Sequence, residues 1–98
     1  MYLTSLERAV EKKLVELGVE FEAQYPTQTG FVIDFALLSE GIAIEVDGER
    51  WHSSKKAKRH DNFKNYQLKR EGWKVLRIKE REMNDLDRIL SQCIKPLC

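Results

Sequence analysis

The stretch IEVDGERWH, residues 44–52, sets Glu45, Asp47 and Glu49 at alternate positions and follows them with Trp51 and His52. Upstream, Asp34 interrupts FVIDFALL, an otherwise apolar run. A carboxylate in such a run is costly if buried without a partner. Its partner is either a lysine or arginine of the next helix or a cation shared with other acids. If 31–38 and 41–47 are strands joined around SEG, they form a hairpin, and Asp34 lies beside the strand that carries Glu45 and Asp47. Side chains alternate across a strand, so Ile42, Ile44 and Val46 share one face while Ala43, Glu45 and Asp47 share the other. Converging carboxylates raise one another's pKa unless a cation sits among them. Oxygen donors without a thiolate or a histidine pair favour magnesium, manganese or calcium over zinc. His52, in the loop beside these acids, is of the type that can move a proton near neutral pH.

The net charge of +1 hides a division. Residues 1–49 hold three Lys or Arg against ten Asp or Glu, and residues 50–81 hold twelve against three. Arg50, Lys55, Lys56, Lys58 and Arg59 open the basic block. They are either a solvated helix start or contacts to the phosphates of a polyanion, whose counterions they would displace. Acids next to such a block suggest a cation held near a phosphate.

The elements that must position these residues read α-β-β-β-α-β-α. TSLERAVEKKLVELG is helical, with Leu6, Val10, Leu14 and Leu17 on one face, a Thr4–Glu7 capping box and Gly18 as the stop. EFEAQY alternates Phe21, Ala23 and Tyr25 against Glu20, Glu22 and Gln24, as a strand with one wet face. After the hairpin, a helix runs from about Ser54 to Glu71. WKVLRIK is then a strand and EREMNDLDRILSQCI a final helix. Meander strands followed by a crossover helix predict an α/β fold with a mixed central sheet flanked by helices. Ninety-eight residues suit a single domain spanning 1–98. No membrane-length apolar run or signal-peptide core is present. Cys93 and Cys98 lack metal-ligand spacing, which points to a reduced, cytoplasmic protein.

DF at 34–35, IEVDGERWH at 44–52, Asp61 with Lys64, and GWKVLR at 72–77 together resemble the very short patch repair endonuclease-like branch of the PD-(D/E)XK nucleases. Within that branch the chain is most similar to the catalytic domain of phage intron-encoded homing endonucleases with an E-D-x-H-D pattern. The resemblance spans roughly Leu6 to Arg77. It implies the nuclease core fold, a Mg²⁺ cofactor with Mn²⁺ as substitute, and cleavage of double-stranded DNA. It implies metal ligation by Asp34, Glu45 and the Val46 carbonyl, and acid–base work by His52. Glu7 matches a first-helix glutamate that reaches the active site, and Asp61 the closing aspartate. Two departures stand out. Asp47 occupies the usual position of the motif lysine, which leaves His52 or Lys64 to replace it. The repair enzyme's zinc ligands have no counterparts.

The resulting expectation is a metal-dependent DNA endonuclease, the catalytic domain of a homing endonuclease. Its DNA-recognition domain would lie outside this chain, a homodimer is possible, and a phage-encoded copy would act in the host cytoplasm. The rivals are a mismatch-nicking enzyme or junction resolvase of the same fold, and a module that binds DNA without cutting it.

Overall fold

The computed structural model describes residues 4–48 and 55–94. Its elements follow the expected order: α1 (Ser5–Glu16), β1 (Glu22–Pro26), β2 (Val32–Leu37), β3 (Ile42–Asp47), α2 (Lys55–Arg70), β4 (Lys74–Lys79), a 3₁₀ segment (Glu80–Asp85) and α3 (Leu86–Cys93). The four strands lie in the order β1-β2-β3-β4, antiparallel except for the parallel β3–β4 pair that the α2 crossover joins.

Helix α1 begins where the sequence places it. The Thr4 hydroxyl accepts from the Glu7 N–H at 3.2 Å, and Glu7 Oε1 accepts from the Thr4 N–H at 3.0 Å. Two otherwise unpaired donors are satisfied reciprocally. Gly18, at φ +72°, ends the helix, and the Val19 N–H reaches back to the Leu14 carbonyl at 3.2 Å. The last expected helix is split, because its first six residues form the 3₁₀ segment. Glu82 Oε1 there accepts from the Lys79 N–H at 2.9 Å, and Asn84 and Asp85, which favour turns over helix interiors, precede α3.

Apolar residues form two clusters on opposite faces of the sheet. Val10 and Leu14 of α1 and Leu86 and Leu90 of α3 pack with Phe35, Leu37, Ile42, Ile44 and Ile78. Leu68 of α2 packs with Ile33, Ala36 and Ala43. In β4, Leu76 joins the first cluster and Val75 the second, as strict alternation requires.

Alternation fails at one place. Ala23 and Phe35 face the α1–α3 layer, yet Tyr25 and Ile33, two residues along each strand, face α2. The uniform face expected for Phe21, Ala23 and Tyr25 is thereby corrected. The cause is Gln24, whose φ of +55° turns β1 over, while the pairings Ala23↔Phe35 and Tyr25↔Ile33 stay in register on either side. Beyond this point Tyr25 meets Trp73 edge to face, with ring centroids 5.9 Å apart.

Candidate active site

The ladder between β2 and β3 runs from Leu37↔Ile42 to Phe35↔Ile44 and goes no further. The next position along would pair Asp34 with Glu45. There, side chains take over from the backbone: Glu45 Oε2 accepts from the Asp34 N–H at 3.0 Å, and Asp34 Oδ2 accepts from the Val46 N–H at 2.8 Å. Each carboxylate thus satisfies a donor of the other strand, and the strands diverge around two acidic groups. Glu45 is only 2% exposed. A charge so deep needs a counter-charge, and Lys64 of α2 supplies it. The Lys64 ammonium pairs with Glu45 Oε1 and donates to the Val32 carbonyl at 2.7 Å. Lys64 is one of the two residues that could replace the missing motif lysine. Its ion pair is made across the layers, with Glu45 on the sheet.

Asp34 pairs with no lysine or arginine of α2 directly. Burial, then the neighbouring Glu45 charge, push its carboxyl from an ordinary 3.8 up to about 7, with a smaller push from Glu7. The Val46 N–H and the Lys64 charge oppose the shift. Glu7 comes from the opposite helical layer. Its Oε2 accepts from Gln24 Nε2 at 3.1 Å, while Oε1 stays with the capping box. Glu7 thus serves the helix cap while its second oxygen is held from β1.

Farther along β3, Asp47 Oδ1 accepts from Arg77 of β4 at 2.9 Å. Arg77 also donates to Asn65 Oδ1 at 2.9 Å and to the Asp61 carbonyl at 3.4 Å, tying β3, β4 and α2 together. These residues line an open cleft of about 450 Å³, whose walls also carry Lys58, Lys79 and Arg81. Asp47, at the usual lysine position, is thus neutralised by an arginine from the neighbouring strand. Asp34, Glu45, Lys64 and Glu7 form one centre, and Asp47 and Asp61 line the adjoining cleft. Lys55, Lys56, Lys58 and Arg59 are exposed on the first turns of α2. Arg50 and His52 lie outside the described residues.

Sequence reasoning missed Gln24, Asn65 and the ion-pairing role of Arg77. Nothing in the alternation of EFEAQY signals Gln24. Arg77, a cation between Leu76 and Ile78 in β4, could have been flagged by the rule that exposed Asp34.

Two carboxylates meeting at a strand divergence, one with its pKa raised by burial and by the other's charge, fit a hard divalent cation. Among the described residues no group of three or more His, Cys, Asp or Glu side chains is arranged to hold a metal.

The family model REase_MTES_1575, a restriction endonuclease-like domain, matches residues 6–93. The chain belongs to this family. Among solved structures, the catalytic domain of the homing endonuclease I-Bth0305I is similar, with a TM-score of 0.74 and 32% identity over 92% of this chain and 90% of that one. No curated protein matches. Membership of REase_MTES_1575 and this likeness support a nuclease, and the fold is the one that the sequence resemblance implied. Among the described residues of this family member, no helix is long and apolar enough to cross a membrane.

Proposed function

We propose that the chain is the catalytic domain of a divalent-metal-dependent DNA endonuclease, working within a homing endonuclease like the similar I-Bth0305I catalytic domain. The observation that carries this reading is the pairing of Asp34 and Glu45 across diverging strands, with Lys64 against Glu45. Asp34, Glu45 and the Val46 carbonyl would hold Mg²⁺, with Mn²⁺ able to replace it. The chemistry such an ion supplies when bound is Lewis acidity toward a phosphoryl oxygen and a lowered pKa for water.

The remaining work falls to the chain's own groups. Lys64 has three donors on its ammonium, so it can hold Glu45 and still reach a phosphoryl oxygen or the attacking water. It thereby fills in space the role that the motif lysine fills in sequence. His52 moves the proton between water and the leaving oxygen, oriented by Asp61, and Glu7 orders water on the Asp34 side. Arg50 and the exposed Lys55, Lys56, Lys58 and Arg59 hold the DNA backbone, with Lys79 and Arg81 on the far wall of the cleft. Sequence recognition belongs to a domain outside this chain.

The test is nicking of supercoiled plasmid. Open-circle product should form with Mg²⁺ or Mn²⁺ and should stop when EDTA removes the metal. Equal nicking with and without EDTA would contradict the reading. Retarded DNA in a gel without any cutting, in either metal, would instead favour the module that binds and does not cut.

A further inference from the structure

Gln24 is the one non-glycine residue with a clearly left-handed backbone among the described residues, at φ +55°. Gly18, Gly30, Gly41 and Gly72 hold the other positive φ values, and glycine adopts them without steric penalty. A long side chain at such an angle is disfavoured, since its Cβ crowds the following carbonyl. The strain has no excuse in the pairing. The register passes from Ala23↔Phe35 to Tyr25↔Ile33 with no inserted residue, so Gln24 lies opposite Asp34. Strained backbone of this kind persists where the surroundings over-determine it, and it concentrates at functional sites.

The side chain points to the use. Gln24 Nε2 donates to Glu7 Oε2 at 3.1 Å, and the Thr4 N–H occupies the other oxygen, Oε1. Both oxygens of Glu7 are thus held, one from each end, and the amide on Oε2 belongs to the residue opposite Asp34 in the ladder. One unusual φ therefore does two things. It carries β1 from one helical layer to the other beside Asp34, and it turns an amide toward a glutamate arriving from α1. Without the amide, the capping box would hold Oε1 alone and leave Oε2 without this donor.

We propose that Gln24 is a positioning residue of the catalytic centre, which locks the Glu7 carboxylate toward Asp34. The inference rests on the nuclease reading above and adds a residue to it. It acts through Glu7 and touches no reacting atom.

The test compares Gln24→Gly, Gln24→Glu and Glu7→Gln with the wild type, by plasmid-nicking kinetics, thermal melting and nuclear magnetic resonance of the Gln24 side-chain amide. Gln24→Gly keeps the positive φ and deletes the amide, so its melting temperature should match or exceed that of the wild type. Its kcat should fall about tenfold or more with KM changed by less than twofold. A residue that serves only to shape β1 would leave kcat intact in this variant. Gln24→Glu, which sets a second carboxylate against Glu7, should fall at least as far. Combining Gln24→Gly with Glu7→Gln should be no worse than the more damaging single change, because both remove one interaction. Cleavage by Gln24→Gly within threefold of wild type, or a fully additive double variant, overturns the proposal. A wild type that cuts nothing in any metal would instead count against the nuclease reading. The amide resonance then decides the positioning by itself: cross-peaks between its protons and the Glu7 side-chain protons uphold it, and a wild type without them overturns it.

Discussion

A carboxyl raised to about 7 by burial and by a neighbouring charge is badly placed in a metal-free protein, and replacing it should have two opposite effects. Asp34→Asn keeps the shape and an oxygen that can accept from the Val46 N–H, and it removes the charge. Cleavage should drop by far more than tenfold, about 1.4 kcal/mol of barrier, while the melting temperature in EDTA at pH 8 holds or rises. Cleavage within tenfold of the wild type would refute the metal-ligand role. Lys64 differs, since it neutralises a carboxylate that is 2% exposed. Lys64→Met alone should destabilise the fold by about 3 kcal/mol, because it leaves Glu45 buried and unpaired. Adding Glu45→Gln should restore most of that stability in denaturant melts and none of the cleavage. If the double variant cuts DNA, the pair is structural and His52 is the better candidate for the missing lysine. His52→Ala should then be tested for loss of the pH limb near 6.5 that an unperturbed imidazole gives.

Among the elements, helix α2 has two jobs on two faces. Its inner face delivers Lys64 to Glu45 and Asn65 to Arg77, and its exposed first turns carry the basic block. Replacing Lys55, Lys56 and Lys58 with Ala should weaken DNA binding for all sequences alike. The plot of log affinity against log salt should become shallower by up to about 0.9 for each phosphate that the lysines neutralise. An unchanged slope would leave those lysines as solvated surface. The order of the elements was readable because their signals are local: the Thr4–Glu7 box, the glycine stop at Gly18, and the period-two pattern of IAIEV. The pairing of Asp34 with Glu45 was readable too, since a carboxylate in an apolar strand needs an answer and the hairpin supplies it. The reversal at Gln24 was not readable. It depends on a single dihedral that glutamine rarely adopts, and Tyr25 is as acceptable to one face as to the other. Nor could spacing bring Lys64 to Glu45, because that pairing depends on how α2 lies across the sheet.

At the scale of the whole molecule, the acidic first half supplies the carboxylates and the basic second half supplies Lys64, Arg77 and the exposed cations. Stability depends on pH through Asp34. Its folded pKa, about 7, lies above the unfolded value near 3.8, so between these limits the native state binds more protons than the unfolded one. Unfolding free energy in EDTA should therefore fall as pH rises from about 4 to about 7 and level off above. The difference between wild type and Asp34→Asn in urea melts isolates this contribution, and a difference that is flat across the window would contradict the shift. The central claim, that Asp34 and Glu45 together hold the divalent ion of a DNA-cutting centre, is tested most directly by anomalous scattering from crystals soaked in Mn²⁺. The account predicts a peak between the two carboxylates, within coordination distance of both and missing from the Asp34→Asn protein. A peak elsewhere, or none at saturating Mn²⁺ in crystals of protein that nicks plasmid, would contradict it.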